Sequence, residues 1–178
     1  MVPAGAINGA STCYCIGAGS DQPFDLELIR RYGATVRSVD PENALGREAE
    51  PDVAADPRLT VIEATVAPQD GTSESGEPKS DGREPPRSLR SLMEQLGDQQ
   101  VQLLKLNIGG DEYDLLEALD LRSLGVRVLL VNLHATRRVD EALRLLERLR
   151  SQGYQPVHCT PRAGYTFVGH PSLSKHAQ

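Results

Sequence analysis

Short apolar runs alternate with amphipathic stretches along most of this chain, and this alternation limits its fold more than any other feature. An apolar run bounded by turn residues predicts a strand, whereas apolar residues three or four positions apart predict a helix. The predicted strands cover residues 11–16, 34–39, 59–63, 102–108, 126–133, 154–159 and 164–168. Strands that alternate with helices predict an α/β fold with a mostly parallel sheet, and the last two strands predict a C-terminal antiparallel hairpin.

The helices between these strands have recognisable ends. Pro23 suits the first turn of a helix, and Gly33 and Gly153 suit the position just after a last turn. The predicted helices cover residues 23–32, 89–96, 111–119 and 139–149, and residues 43–55 suit a short, weak helix. The length of 178 residues is typical of a single domain.

One segment fits neither pattern. Residues 68–88 contain four prolines and three glycines but no large apolar residue. Because such a composition cannot bury a face, we expect a long exposed loop. A loop of this length in a compact domain is either disordered or functional, and the functional alternative here is a lid over a cofactor.

The charge of the chain limits the kinds of partner that we expect it to bind. The net charge is −6, and residues 40–84 hold 12 acidic and 4 basic residues. Because an acidic surface repels a phosphate backbone, this composition predicts no nucleic-acid partner.

The chain shows no signal peptide and no apolar run long enough for a bilayer, which predicts a cytoplasmic protein with no membrane partner. Its three cysteines form neither a disulfide framework nor a zinc motif, so we expect no metal.

Glycine and polar residues lie where the predicted strands end. Gly17 and Gly19 follow the first strand, Asp40 ends the second, and Asn107 and His134 end the two strands that follow the long loop. Ligands of parallel sheets bind beyond the carboxyl ends of the strands, so these residues predict a single crevice.

The same pattern favours a nucleoside cofactor that lacks a pyrophosphate. Glycines let the backbone approach a ligand closely, and an acid at the end of the second strand can accept hydrogen bonds from ribose hydroxyls. A pyrophosphate-binding turn would need a third glycine, and that position is Gln22. S-adenosylmethionine (SAM) is therefore favoured over a dinucleotide.

The chain resembles the FkbM-like SAM-dependent methyltransferases in four motifs between about residues 13 and 168. Residues 15–25 are similar to the first family motif, and residues 32–34 and 39–41 to the second. Residues 104–113 resemble the Lys-Ile-Asp-Ile-Glu-Gly-x-Glu motif, and residues 131–134 resemble the Glu-x-His strand end. The resemblance implies a Rossmann-like class I methyltransferase fold and a hydroxyl of a sugar or secondary metabolite as acceptor. It places SAM at Gly17, Ala18, Gly19, Ser20, Asp40 and Pro41.

Three carboxylates of the family pattern are missing from this chain. Asn107 replaces an Asp, Gly109 replaces a Glu, and Asn132 replaces the Glu before the histidine, whereas Glu112 and His134 remain. Asn and Gly are poor substitutes for a carboxylate that takes a proton or holds a divalent cation. The catalytic candidates are then His134, which either accepts the acceptor's proton or is structural, and Asn107, which orients the acceptor or the cofactor amine.

These observations leave functions of different classes open. The first is a SAM-dependent methyltransferase acting on a hydroxyl of a small molecule. The second is a catalytically reduced member of the fold that serves as a binding or partner subunit, and a third is non-methylating chemistry on the same fold. Because the chain is compact for this class, its acceptor pocket is either open or completed by a second copy in a homodimer or by a partner enzyme.

Overall fold

The computed structural model describes residues 2–17, 22–42, 56–71, 84–134, 139–159 and 164–169. Its elements, in chain order, are β1 (Thr12–Ile16), α1 (Gln22–Tyr32), β2 (Thr35–Val39), β3 (Leu59–Ile62), α2 (Leu89–Leu96), β4 (Leu103–Leu106), α3 (Glu112–Ala118), β5 (Val128–Asn132), α4 (Val139–Ser151), β6 (Tyr154–Cys159) and β7 (Gly164–Gly169). These elements agree with the predicted ones to within about two residues at each end, the usual uncertainty of element boundaries. The weak helix predicted at residues 43–55 lies outside the described residues.

The described strands form a seven-stranded sheet in the order β3-β2-β1-β4-β5-β7-β6. The first five strands pair in parallel, whereas β7 is antiparallel to both β5 and β6. This arrangement confirms the predicted α/β fold with a mostly parallel sheet and a C-terminal antiparallel hairpin. The central strands have apolar residues on both faces because helices cover both faces of the sheet.

The two faces of the sheet pack against different helices. Within β1, Tyr14 and Ile16 point into the larger apolar core together with side chains of α2, α3 and α4. Cys13 and Cys15 point the other way, into a smaller core that includes residues of α1. This division follows from the two-residue period of a strand, which sends alternate side chains to opposite faces.

A partly buried polar network ties β1, β2 and β3 to the turn after α2. The guanidinium of Arg37 donates to both carboxylate oxygens of Asp98, from Nε at 2.9 Å and from Nη2 at 3.0 Å. Tyr14 donates its hydroxyl to Asp98 at 2.8 Å, and Arg37 also donates to the hydroxyl of Thr60 at 2.6 Å. The carboxylate of Asp98 therefore accepts hydrogen bonds from a neutral donor on β1 and a charged donor on β2. These bonds anchor the chain as it approaches β4.

The two ends of the predicted long loop lie side by side. Val66 pairs with Arg87 in a parallel bridge, and the carboxylate of Asp70 accepts a hydrogen bond from the backbone N–H of Ser88 at 2.6 Å. Residues 72–83 lie outside the described residues, so exposure, disorder and a lid all remain predictions for residues 68–88.

The order of the strands reverses between β1 and β4. From β1 the chain builds β2 and β3 on one side, and it then crosses to build β4 and β5 on the other side. Backbone hydrogen bonds continue past the strand ends, from Gly17 N–H to Val39 O at 2.9 Å and from Asn107 N–H to Ile16 O at 3.1 Å. The ends of these strands therefore stay aligned at the reversal point, where open α/β sheets bind their ligands.

Candidate functional site

The strand-end crevice is the region bounded by Gly17, Asp40, Asn107, Asn132 and His134. The first four residues end or follow β1, β2, β4 and β5, and His134 lies two residues beyond β5. The structure therefore places the polar residues singled out in the sequence at the same edge of the sheet, around the reversal in strand order.

Gly17 lies at the end of β1 and leaves no room for a side chain. Its φ angle is +71°, which is a left-handed conformation. A Cβ atom at this position would lie 2.2 Å from the carbonyl oxygen of Asn107 and 2.8 Å from its carbonyl carbon. Only glycine permits this close backbone approach of the ends of β1 and β4. The other predicted turn residues, Ala18, Gly19 and Ser20, lie outside the described residues.

Asp40 is held rigidly at the end of β2. The residue is only 7% exposed, and its carboxylate Oδ1 accepts a hydrogen bond from the backbone N–H of Glu42 at 2.8 Å. Its own backbone N–H donates to the carbonyl of Ile62 at the end of β3. Pro41, which was also predicted to contact the cofactor, follows in an exposed turn. The result is a fixed carboxylate beside the Gly17 turn.

Asn107 and Asn132 form a pair of hydrogen-bonded amides across β4 and β5. The side-chain Nδ2 of Asn132 donates to Oδ1 of Asn107 at 3.0 Å. Two carboxylates could not make this contact without a proton or a cation between them, because like charges at that distance repel strongly. The pair is therefore neutral and internally bonded, and it stands at two of the positions where the FkbM-like pattern has carboxylates.

His134 is fixed by two neighbouring residues at the start of α3. Its Nδ1 lies 2.8 Å from Oε1 of Glu112, and its backbone carbonyl accepts a hydrogen bond from the hydroxyl of Tyr113 at 3.3 Å. Nε2 lies 3.5 Å from Nδ2 of Asn132. The imidazole thus bridges a buried carboxylate and the amide pair.

Glu112 is the site residue that sequence reasoning missed. It was noted as a surviving acid, but no role was predicted for it. Its carboxylate accepts hydrogen bonds from the backbone N–H groups of Ile108 at 2.7 Å and Gly110 at 2.8 Å. A glutamate at the first position of a helix can bond back to orphan N–H groups of the preceding turn, and that was the available signal.

A cavity of about 290 Å³ adjoins the amide pair on the α1 face of the sheet. Asn107, Asn132, Lys105, His158 and Thr166 are among its lining residues. Lys105 is buried, and its ammonium lies 4.0 Å from the carboxylate of Asp25, a residue of α1. The cation beside the cavity is therefore balanced by an anion, and the cavity is polar but close to neutral.

The cysteines have no part in the crevice. Cys13 and Cys15 are fully buried in the core beneath α1, and Cys159 is exposed at the end of β6. Burial, together with the charge of Asp25, raises the pKa of Cys13 to about 12 and also raises that of Cys15. Within the described ranges, no three His, Cys, Asp or Glu side chains are grouped so that they could hold a metal ion.

Among the helices that the structure describes, none is both long enough and apolar enough to cross a bilayer.

No protein-family model matches the chain, and no curated protein matches it. Its fold is similar to that of solved methyltransferases. The methyltransferase domain of METTL16 aligns with a TM-score of 0.55 at 14% identity, covering 88% of this chain and 58% of that one. The antibiotic-resistance methyltransferase Kmr aligns with a TM-score of 0.46 at 16% identity, covering 90% of this chain and 88% of that one. A variant of the 16S rRNA (adenine(1408)-N(1))-methyltransferase from Catenulisporales acidiphilia, solved with the cosubstrate SAM, aligns with a TM-score of 0.41 at 14% identity, covering 88% and 82%.

These similarities bear on the predicted fold and cofactor. The chain has the Rossmann-like methyltransferase fold that was predicted, and it spans 58% of the length of the METTL16 domain. SAM as the cofactor of this chain remains a prediction from its strand-end residues and its fold. Membership of the FkbM-like family remains an expectation, since no family model matches.

The expected absence of a nucleic-acid partner is wrong. One of the solved structures to which this chain is similar is by name a 16S rRNA methyltransferase. The net charge misled the sequence argument because it averages over the whole chain. The acidic excess lies in residues 40–84. The rest of the chain holds 15 of the 19 basic residues and 13 of the 25 acidic residues, so it is slightly basic. The local field at a binding surface decides which partner is attracted.

Proposed function

We propose that this protein is a SAM-dependent methyltransferase whose acceptor is a hydroxyl group of a small molecule. The observation that carries the proposal is the backbone turn at Gly17 beside the buried carboxylate of Asp40, at the ends of neighbouring parallel strands. A methyltransferase fold supplies the context, and the four motifs that resemble the FkbM-like family support the choice of acceptor.

The two sides of the crevice suit the two halves of the cofactor. Asp40 can accept hydrogen bonds from the ribose hydroxyls, and its burial and fixed orientation strengthen such charge-assisted bonds. The side-chain-free surface at Gly17 lets the ligand approach the backbone. Ala18, Gly19, Ser20 and Pro41 are the further residues proposed to contact the cofactor.

The acceptor side of the crevice supports proton removal from a hydroxyl. SAM supplies an electrophilic methyl group when bound. Nδ1 of His134 contacts the carboxylate of Glu112, and Nε2 faces the amide pair. Nε2 can therefore take the hydroxyl proton as the oxygen is methylated. Asn107 lies between the Gly17 turn and the neighbouring cavity, where its amide can orient the acceptor.

A second candidate is a partner subunit that retains the fold without its own methyl transfer. The observation that favours it is the neutral amide pair of Asn107 and Asn132, which can neither accept a proton readily nor bind a divalent cation well. Such a protein would still bind SAM through Gly17 and Asp40.

The test is calorimetric titration with SAM and with S-adenosylhomocysteine. The wild-type chain is expected to bind both, and Asp40→Ala is expected to weaken binding by about 10- to 100-fold, because a hydrogen bond to a charged group contributes about 1.5–3 kcal/mol. Glu94→Ala, which removes an exposed carboxylate on α2, serves as the control and should leave affinity unchanged. Failure of both compounds to bind would overturn the proposal.

Transfer from methyl-labelled SAM to a panel of hydroxylated small molecules and to RNA fragments then tests the acceptor. Label in the hydroxyl compounds supports the proposed acceptor. Label in RNA alone refutes it, and binding without any transfer favours the partner subunit.

A further inference from the structure

Glu112 lies in an environment that glutamates rarely occupy. Its side chain is fully buried (0% exposed), although burying a carboxylate is costly unless its charge is compensated. The backbone N–H groups of Ile108 and Gly110 donate to it, and Nδ1 of His134 lies 2.8 Å from its Oε1. The two backbone donors hold the carboxylate to the turn after β4, so its position does not depend on the histidine.

We propose that Glu112 is a positioning residue that holds His134 in the tautomer with its hydrogen on Nδ1 and turns Nε2 toward the strand-end crevice. A carboxylate oxygen that already accepts the Ile108 N–H lies 2.8 Å from Nδ1, so the imidazole is the donor in this contact. The hydrogen bond at one ring nitrogen determines which nitrogen keeps its lone pair, and here that nitrogen is Nε2. The catalytic meaning of this arrangement rests on the function proposed above.

The other edge of the ring faces the amides. Nε2 lies 3.5 Å from Nδ2 of Asn132, which in turn donates to Asn107. The side chain of His134 is 33% exposed while that of Glu112 is 0% exposed, so the ring reaches from the protein interior to the crevice. The contact between Nε2 and Asn132 is long at 3.5 Å, so a hydroxyl that enters the crevice can displace it and donate to Nε2.

The backbone of His134 is fixed from the same helix turn. The hydroxyl of Tyr113, the residue after Glu112, donates to the carbonyl of His134 at 3.3 Å. Side chain and main chain are thus both tied to the start of α3, and this limits rotation of the ring. A base held in one orientation loses less freedom when the acceptor binds, which is the advantage of positioning in catalysis.

The carboxylate also has a defined role when the proton moves. The acceptor oxygen loses its hydrogen to Nε2, and the imidazole becomes a cation with hydrogens on both nitrogens. Glu112 then faces that cation with its negative charge at 2.8 Å and stabilises it. The proton leaves from Nε2 to solvent after transfer, which restores the starting tautomer.

The experiment is a long-range ¹H–¹⁵N correlation spectrum of the histidine side chains at a pH where the imidazoles are neutral. The wild-type chain is expected to show His134 with a protonated Nδ1 and an unprotonated Nε2, the reverse of the tautomer usual in free imidazoles. His134→Gln identifies the signal by its disappearance. Glu112→Gln should shift His134 toward the usual tautomer, because a neutral amide accepts the Nδ1 hydrogen more weakly than a charged carboxylate does. Glu117→Gln, an exposed position on the same helix, is the matched control and should change nothing.

An Nε2–H tautomer in the wild-type chain would overturn the proposal, and that result needs no variant to fold. A wild-type tautomer on Nδ1 that Glu112→Gln leaves unchanged in a folded protein would overturn it as well. The spectrum requires neither cofactor nor acceptor, so it separates this proposal from the proposed function. If methyl transfer is found, Glu112→Gln should lower kcat by about 100-fold, with KM for SAM unchanged. A higher KM for SAM with an unchanged kcat would contradict positioning of the base.

Discussion

The contact between Gly17 and Asn107 allows a matched comparison of two glycine substitutions. Both Gly17 and Gly97 adopt φ angles near +70° (+71° and +72°), so an alanine at either position has the same backbone penalty. That penalty is about 1–2 kcal/mol for a residue with a Cβ atom in the left-handed region. At Gly97 a Cβ would meet nothing within 4 Å, whereas at Gly17 it would lie 2.2 Å from a backbone oxygen.

The difference between the two variants isolates the cost of the close approach. We expect Gly97→Ala to lower the free energy of unfolding by about 1–2 kcal/mol. Gly17→Ala should lower it by roughly 1–3 kcal/mol more, because relief of the overlap requires the ends of β1 and β4 to separate. A loss of this size is a large fraction of the about 5–15 kcal/mol that stabilises a typical domain.

Urea unfolding measures both variants on the same scale. An unchanged m-value with a lower midpoint shows that stability changed and not the unfolded state. Equal midpoints for Gly17→Ala and Gly97→Ala would show that the ends of β1 and β4 can move apart at little cost. That result would refute the reasoning that Gly17 is required by its contact with Asn107.

Two further predictions concern titratable groups. Burial opposes ionisation of Asp98, but the hydrogen bonds from Arg37 and Tyr14 and the charge of Arg37 together outweigh it and leave the carboxyl pKa below its usual 3.8. The charged form therefore stabilises the fold above that value, and this stabilisation is lost as the pH falls through the lowered pKa. We expect Asp98→Asn to lower the free energy of unfolding in urea by about 1.5–3 kcal/mol at neutral pH. The free energy of unfolding of this variant should also change less with acid pH than that of the wild type. Because Cys13 and Cys15 are buried thiols with raised pKa values, iodoacetamide should modify only Cys159 in the folded chain at mildly alkaline pH and all three cysteines in denaturant, as read by mass spectrometry. Native labelling of either buried thiol would contradict its placement in the core.

Several parts of this protein could be predicted from local sequence patterns. The period of the apolar residues determined which segments became strands and helices, because burial of one face requires that spacing. The alternation of the two kinds of element indicated a parallel sheet, and the rule for ligand sites in such sheets placed Gly17, Asp40, Asn107 and His134 at one edge. These inferences need only neighbouring residues and general chain geometry.

Net charge was a poor guide to the class of partner. A net charge of −6 describes the whole chain, whereas binding depends on the field near one surface. The exclusion of nucleic acid therefore did not follow from the charge.

Only the tertiary structure decided which of these residues touch. The strand order placed β1 against β4, and that neighbour relation made Gly17 a close backbone contact of Asn107 although they are far apart in sequence. The same packing brought Glu112 to His134 and Asn132 to Asn107. A sequence pattern states which residues reach the edge of a sheet, because that depends on local periodicity. It does not state which side chains form hydrogen bonds there, because that depends on strand order and helix packing, which join distant segments of the chain.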